Sequence, residues 1–297
     1  MTFHSRGKIS NSYKVVIIGA GISGLAAAKT LQLSGITDFV ILEAQDYIGG
    51  RIKTVKYNDK YLELGAQWIH GEENKIYQLS KSLNLLSDQC SYEGLGLYVR
   101  ETGEVIDSEI VSDVKQFIDS VLEQCESFSQ NNVKHYPESI GAELQKRFLD
   151  YLKSRQSTEQ VVLEELLDWH LRFLLIDNGC YDLNKLSARV WGDYITCGGR
   201  DYNNFDTGYS SLVDAIVASI PSDAVQLNSP VERIVWDGGD VSGKIDVQTR
   251  DKSYSCDHVI VTSSVGYLQK HHRTMFRPQL PEETCQVSLD LFVSYNI

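Results

Sequence analysis

The chain has 297 residues, of which 42% are hydrophobic and 23% are charged, and its net charge is −12. These values are typical of a globular protein with one or two domains. The negative charge disfavours nucleic acid as a partner; it suits a cationic ligand, although it serves solubility equally well. No apolar run is long enough for a membrane helix, and we expect no secretory leader in residues 1–12. The six cysteines lack the C-x-x-C spacing, so we expect free thiols and no metal site.

The first informative segment covers residues 15–51. Val15–Ile18 is a short apolar run typical of a buried parallel strand. A G-x-G-x-x-G motif follows directly, and residues 25–33 then predict a helix rich in alanine. A second apolar run at residues 39–42 ends on Glu43, which lies 19 residues after the last glycine of the motif. This order of strand, glycine loop, helix, strand and acid predicts a dinucleotide-binding unit rather than an ordinary glycine turn.

A second glycine-bearing loop, Ile48-Gly49-Gly50-Arg51, follows that acid. Two glycines allow close backbone approach, and a guanidinium can pair with phosphate oxygens. Taken alone, the loop is better explained by a hairpin turn with a surface arginine. Beside the first motif it indicates a second phosphate clamp, which a nicotinamide enzyme does not need. The cofactor-binding residues that these two motifs predict are Gly19, Gly21, Gly24, Glu43, Gly50 and Arg51.

The remaining segments predict hairpins and strands in some parts of the chain and mainly helices in the middle. Residues 52–64, with a turn at Asn58-Asp59, predict a hairpin, and so do residues 97–106. Residues 74–86 predict a helix. Apolar residues at helical spacing predict helices at 112–128 and 140–152, with a third that begins at a Ser157/Gln160 capping box. Strands return at 225–235, 243–249 and 258–262. This order predicts an α/β fold in which a sheet-based domain (13–80 and 205–281) is interrupted by a helix-rich domain (81–204) and followed by a divergent tail (282–297).

Several segments resemble the flavin-containing amine oxidases. Glu43-Ala44 with the Ile48–Arg51 loop resembles the FAD signature of that family. The segment Gly65-Ala66-Gln67-Trp68-Ile69-His70-Gly71 is similar to the G-A-x-W-I-H-G segment of its polyamine oxidase and spermine oxidase branch. Further similarity lies at residues 186–194, 208–209, 231–236 and 257–262. The resemblance therefore covers about residues 13–281.

The resemblance implies a Rossmann-like FAD-binding domain, discontinuous in sequence, with an inserted and mainly helical substrate domain. It implies an oxidoreductase of polyamine catabolism that uses FAD and molecular oxygen. The expected location is cytoplasmic, since the thiols suit a reducing compartment and the ending Tyr295-Asn296-Ile297 is not a peroxisomal address. The expected substrate is spermine or an acetylated polyamine, oxidised at a carbon next to nitrogen. The expected products are an aldehyde, a shorter amine and hydrogen peroxide.

The resemblance also implies roles for individual residues. Ile22 and Ser23 would join the neighbouring glycines around the pyrophosphate. Gln67 and Trp68 would lie beside the flavin, Val231 would meet the adenine, and Thr262 would sit near the cofactor at a strand end. His70 would contact the substrate, with Tyr194 and Cys197 lining the path to it. Without the surrounding motif, His70 would be better explained as a structural histidine. No catalytic acid, base or nucleophile is indicated.

The resemblance ends near Pro281. Residues 282–297 contain neither the lysine, nor the aromatic wall, nor the final glycine-rich segment that family members place around the flavin, and 285–294 alternate like an edge strand. We therefore expect a truncated chain, with a catalytically inactive isoform or a partner of a full-length oxidase as the alternative function. The intact W-I-H-G segment argues against an oxidase of aromatic monoamines or methylated lysine.

Overall fold

The computed structural model describes residues 9–91, 96–131, 133–157, 159–236 and 243–285. The edge strand predicted at residues 285–294 lies outside the described residues, apart from Cys285. Within the described residues, contacts divide the chain into two compact units. Unit 1 comprises residues 9–91 and 197–285, and unit 2 comprises residues 96–196.

Among the described residues, unit 1 contains every strand together with four of the helices. The strands are β1 (Ile9–Ile18), β2 (Phe39–Leu42), β3 (Thr54–Tyr57), β4 (Lys60–Glu63), β5 (Leu86–Cys90), β6 (Asn203–Phe205), β7 (Val225–Gln226), β8 (Val231–Val235), β9 (Ile245–Thr249), β10 (Lys252–Val261) and β11 (Phe276–Arg277). The helices are α1 (Ile22–Leu33), α2 (Lys75–Ser82), α3 (Ser108–Gln130), α4 (Ile140–Lys153), α5 (Gln160–Asp177), α6 (Ser210–Val217) and α7 (Val265–Met275), of which α3 to α5 belong to unit 2.

The main sheet is mixed, with the strand order β11-β8-β9-β10-β1-β2-β7. β1 lies between β10 and β2 and is parallel to both, whereas β9 is antiparallel to its two neighbours. Alternate residues of β1 point into different cores: Val15 and Ile17 pack in one cluster with residues of α1 and α6, while Val16 and Ile18 pack in another with residues of β8 and β10. Burial on both faces explains why this strand is a continuous apolar run in the sequence.

The hairpin β3–β4 is tied to the start of α6. Thr54 and Ser210 form two reciprocal hydrogen bonds, in which the backbone N–H of each residue donates to the side-chain hydroxyl of the other at 2.9 Å. The carboxylate of Glu63 accepts from the Thr54 hydroxyl and from the Tyr209 N–H, both at 2.7 Å. Gly208 has φ +87°, and a Cβ there would overlap the Thr54 side chain. The hairpin therefore satisfies the N–H groups of Tyr209 and Ser210, which have no intrahelical partner at the start of α6.

Several predicted boundaries were wrong for local reasons. The helix predicted to reach residue 86 ends at Ser82, because Asn84 adopts φ +54° and β5 then begins. The Ser157/Gln160 capping box does not form: α5 begins at Gln160, and its first turn has no side-chain cap. The strand predicted over 225–235 is broken at Asn228, where φ is +51°. Around 97–106 the structure has a turn closed by a single bridge, Val99 to Val105, rather than full strands.

Unit 2 is built from α3, α4 and α5 around a separate core that includes Val114, Leu144 and Leu166. The helical spacing of apolar residues identified these helices, although α3 begins at Ser108, four residues earlier than predicted. None of the helices in the described residues is long and apolar enough to cross a membrane.

His170 is a buried, unpaired group of this helical unit. It is 8% exposed, and its Nε2 has no hydrogen-bond partner among the described residues. Its ring contacts Trp169 and Tyr98, and the charges of Lys115 and Asp119 act on it in opposite directions. Burial, assisted by Lys115, lowers the pKa of His170.

We expect the stability of unit 2 to decrease as the pH falls below about 6.5. An unfolded histidine binds a proton near that pH, whereas folded His170 binds one only at lower pH, so stability is full above the unfolded pKa and is lost as the pH falls toward the folded one. One proton changes the free energy of unfolding by at most about 1.4 kcal/mol per pH unit. Urea unfolding at pH 7.5 and 5.5 measures this. His170→Leu should reduce the dependence of the free energy of unfolding on pH, whereas His135→Leu, at an exposed histidine, should not. An equal pH dependence in wild type and both variants would contradict the prediction.

Candidate functional site

The G-x-G-x-x-G loop joins β1 to α1 at close backbone distance. Gly19 has φ +103°, and a Cβ on it would lie 2.7 Å from the Thr262 hydroxyl oxygen. A Cβ on Gly24 would overlap the carbonyl oxygen of Gly19. The Thr262 hydroxyl donates to the Ile18 carbonyl at 2.8 Å and thereby ties the end of β10 to this turn. The first and third glycines are therefore required by packing inside the protein.

Gly21 differs from the other two glycines. Its φ of −71° suits any residue, and a Cβ there would meet nothing within 4 Å among the described residues. It caps α1, whose first turn has neither a side-chain cap nor an acidic residue. Ile22 packs against the core and Ser23 is exposed. The N-terminus of α1 thus presents unused N–H donors to an anion at the place where an added side chain would sit.

The second glycine loop lies directly against the first. Gly49 donates its N–H to the Ala20 carbonyl at 2.8 Å and forms a parallel bridge with Gly21. Gly50 has φ +62°, and a Cβ on it would stand 3.3 Å from the Cα of Gly21. Arg51 follows with an exposed side chain. The structure therefore brings together the two loops that were predicted to clamp one diphosphate.

Glu43 is buried at the end of β2, with 8% of its surface exposed. One carboxylate oxygen accepts from the Ala20 N–H at 2.7 Å, and the other accepts from the Gln45 N–H at 2.8 Å. A carboxylate can accept about four hydrogen bonds. Glu43 is therefore held in place beside the glycine loop and keeps capacity for two hydroxyl groups, as a ribose would require.

The end of β7 and the segment after it form hydrogen bonds with the backbone of Glu43. The N–H of Glu43 donates to Gln226, and the Glu43 carbonyl accepts from the Ser229 N–H at 2.8 Å. Val231 begins β8 and is buried in the cluster that contains Leu42. These contacts place Val231 two residues beyond the segment that touches Glu43. Its predicted contact with an adenine ring stays a prediction.

The clamp loop continues into the W-I-H-G segment. The Arg51 carbonyl accepts from the Ala66 N–H at 3.0 Å, and a Cβ on Gly65 would overlap that same carbonyl oxygen. Gln67 is exposed and borders a cavity of about 360 Å³ that Glu63 also lines. Residues 19–24, 49–51 and 65–68 therefore form a chain of neighbouring loops in one unit.

An aromatic cluster follows these loops. The rings of Trp68 and His70 both meet the ring of Tyr202 edge to face, with centroids 5.2 Å and 5.4 Å away from it. His70 is exposed, the other two are half-buried, and the indole N–H of Trp68 has no acceptor among the described residues. Tyr202 was missed from the sequence because no motif surrounds it and it lies more than 130 residues from His70.

Cys197 lies on the loop that carries Tyr202. Its side chain packs against Gly71, and its sulfur lies 3.8 Å from the amide nitrogen of Asn74. On the same loop, Arg200 donates to Glu72 at 2.9 Å, and this hydrogen bond lowers the pKa of the Glu72 carboxyl. Cys197 therefore packs against the residue that follows His70, and Glu72, whose pKa is lowered, is the next residue along.

Tyr194 belongs to unit 2, where it follows a short 3₁₀ turn, Trp191–Asp193, with its ring largely exposed. Its substrate contact stays a prediction. In the part of the chain that the structure describes, no group of three or more His, Cys, Asp or Glu side chains is arranged to hold a metal ion.

Curated relatives match nearly all of this chain but only part of their own length. The peroxisomal N(1)-acetyl-spermine/spermidine oxidase of Bos taurus is 27% identical over 299 residues, covering 91% of this chain and 57% of that protein. Polyamine oxidase 1 of Zea mays is 29% identical over 283 residues, covering 90% of this chain and 56% of that protein. The chain thus spans a little over half the length of these relatives.

Solved structures show the same fold. Putrescine oxidase bound to putrescine superposes with a TM-score of 0.61 at 20% identity, covering 94% of this chain and 64% of that one. A double mutant of putrescine oxidase gives a TM-score of 0.63, also at 20% identity.

The sequence profile described as flavin containing amine oxidoreductase matches residues 22–290, nearly the whole chain. It extends past Pro281, where the resemblance was expected to end. Such enzymes take FAD as cofactor, and the two joined glycine loops and Glu43 fit the ADP half of that molecule. The chain belongs to the flavin-containing amine oxidoreductase family.

Proposed function

We propose that this protein is a cytoplasmic, FAD-dependent polyamine oxidase that acts on spermine or an acetylated polyamine. For each C–N bond cleaved, one oxygen molecule and one water would be consumed, and one aldehyde, one shorter amine and one hydrogen peroxide would form. The names of the bovine and maize relatives support the substrate class. The net charge of −12 suits a polycationic substrate.

The observation that carries the proposal is the continuity of the loops. Gly21 touches Gly50, Arg51 bonds to Ala66, and four residues later the chain reaches His70. A cofactor whose diphosphate lies at Gly21 would therefore extend along one connected surface toward the aromatic cluster. A plain nucleotide-binding protein has no use for this extension.

The residues of this chain would divide the work. The N-terminus of α1 and Arg51 would hold the diphosphate, and Glu43 would accept from the ribose hydroxyls. When bound, FAD supplies the redox chemistry, acceptance of a hydride from the carbon next to nitrogen. His70 would accept a hydrogen bond from the amine, and the faces of Trp68 and Tyr202 would attract an alkylammonium group elsewhere on the substrate.

We expect residues 1–297, purified from cells supplied with riboflavin, to show a flavin absorbance spectrum and to release peroxide with spermine, spermidine or N-acetylspermine. His70→Ala should raise KM for the preferred amine by about tenfold or more, the equivalent of about 1.4 kcal/mol of lost binding. The same substitution at exposed His271 on α7 is the matched control and should leave KM unchanged.

Flavin without peroxide release from any of the three amines would overturn the oxidase proposal while leaving FAD binding intact. Protein without flavin that co-purifies with a full-length oxidase would favour the alternative of a non-catalytic partner. Equal KM values for His70→Ala and His271→Ala would remove His70 from the substrate site.

A further inference from the structure

Two loops of unit 1 interlock around His70. Ile69 and Asn203 exchange backbone hydrogen bonds, at 3.0 Å and 3.1 Å, and form an antiparallel bridge. Two more bonds follow, from the Gly71 N–H to the Arg200 carbonyl at 3.0 Å and from the Glu72 N–H to the Gly198 carbonyl at 2.6 Å. The segment that carries His70 is thus paired with the segment that carries Tyr202.

The side chain of Asn203 lies at the centre of this pairing. It is 3% exposed, and its Nδ2 lies 3.1 Å from the Ile69 carbonyl oxygen, 3.3 Å from that of Gly71 and 2.9 Å from that of Arg200. Ile69 and Gly71 flank His70 on either side. One buried amide group therefore supplies hydrogen-bond donors to the backbone before and after His70 and to the opposing loop.

The two loops are in close contact at two glycines. Gly71 has φ +75°, and a Cβ on it would overlap Cys197. Gly199 has φ +104°, and a Cβ on it would overlap the side chain of Glu72. Because the two loops already touch at these glycines, they cannot close over the space that a lost Asn203 amide would leave, and the buried carbonyl oxygens that it contacts would lose a hydrogen-bond donor.

We propose that Asn203 is a positioning residue, which holds Trp68, His70 and Tyr202 in the arrangement that binds the amine. Tyr202 is its neighbour in sequence, and the Tyr202 ring contacts both other rings. The role of this arrangement in amine oxidation rests on the proposed function, whereas the contacts of Asn203 are observed in the structure itself. The donors of Asn203 are the essential feature, because its neighbours are three carbonyl oxygens.

The matched control is Asn204, the next residue of β6. Its Nδ2 donates to the Gln89 carbonyl and to the Ser91 hydroxyl, both at 3.1 Å, and it therefore braces β5 rather than the His70 segment. Asn204→Ala removes the same group from the same strand without touching the aromatic cluster. Asn203→Asp is the second variant: it keeps the shape of the side chain but exchanges the donors for an oxygen that would face the carbonyls.

The first test is spectroscopic and requires no turnover. In wild-type protein loaded with FAD, the ring signals of His70, assigned by comparison with His70→Ala, are followed by heteronuclear NMR over pH 5.5–8.5, together with the near-ultraviolet circular dichroism of Trp68. Asn203→Ala and Asn203→Asp should shift the His70 signals and weaken the Trp68 band, whereas Asn204→Ala should leave both as in wild type. Unchanged spectra in Asn203→Ala, or equal changes in Asn204→Ala, would overturn the proposal.

The second test is kinetic. Asn203→Ala should raise KM for the preferred amine by about tenfold, with a smaller effect on kcat and unchanged flavin content. Asn203→Asp should raise KM as much as Asn203→Ala does. If Asn203 only filled space, aspartate would restore the wild-type KM, because it has the same shape. A wild-type KM in Asn203→Asp would overturn the donor role. If wild-type protein oxidises no amine, the proposed function fails, and the spectroscopic comparison still decides whether Asn203 positions His70.

Discussion

Replacing Gly21 with alanine is expected to abolish tight FAD binding and leave the protein folded. The added methyl group meets no described protein atom within 4 Å, and the backbone angles of Gly21 suit alanine. It would instead occupy the space in front of α1, where the diphosphate must approach the helix N-terminus. We expect the Kd for FAD, measured by flavin fluorescence quenching, to rise by more than about tenfold, with a midpoint of thermal unfolding within about 3 °C of the wild-type apoprotein.

Two other glycines provide the controls. Gly24→Ala should unfold unit 1, at a cost above about 4 kcal/mol, because its methyl group would overlap the Gly19 carbonyl oxygen. Gly266→Ala on α7 adds the same methyl group in open space, so it should neither raise the Kd for FAD nor lower the midpoint of thermal unfolding. If Gly21→Ala binds FAD as wild type does, the diphosphate does not lie at this loop.

Replacing Glu43 should weaken both the fold and the cofactor site. Glu43→Ala leaves the N–H of fully buried Ala20 without its acceptor, at a cost of about 1–3 kcal/mol in the free energy of unfolding. Glu43→Gln is more informative, since its single amide oxygen can replace only one of the two carboxylate oxygens that accept from Ala20 and Gln45. Both variants should raise the Kd for FAD by about tenfold or more.

Glu143→Gln separates the two effects. Glu143 is also a buried carboxylate, 7% exposed, but it lies in unit 2 and pairs with Arg147. The same exchange there should lower the stability of the helical unit, measured by urea unfolding, and leave the Kd for FAD unchanged. Should Glu143→Gln weaken FAD binding as much as Glu43→Gln does, the loss would reflect general destabilisation rather than a lost ribose contact.

The features that were predicted correctly from the sequence share a local cause. β1, the glycine loop, α1 and β2 are adjacent in the chain, so the spacing of Gly19, Gly24 and Glu43 carries the whole geometry. The hairpin after Arg51 was predicted from its turn at Asn58, which does adopt φ +55°. The helices of unit 2 were visible because helical periodicity is a property of a single segment.

What sequence analysis missed depends on contacts between distant segments. Nothing near Tyr202 or Asn203 marks them, since their partners Trp68 and Ile69 lie more than 130 residues away. The true start of α5 was missed because Ser157 and Gln160 fit a capping box that the folded chain does not use. Gly208 was noted only as part of a segment similar to the family, and the reason for a glycine there, the Thr54 side chain packed against it, is visible only in the structure.

The position of β1 beside β10 has a consequence for biosynthesis. Paired residues such as Val16 and Val259 lie about 240 positions apart. At about 5–20 residues per second, translation delivers β10 roughly 12–50 s after β1, and apolar β1 lacks one of its two neighbours for that time. Residues 96–196 form a separate unit that precedes β10 in the chain, so its helices can form meanwhile. Maturation of unit 1 is thus a late, non-local event, and chaperones that shield short apolar strands should associate with the nascent chain before residue 252 emerges.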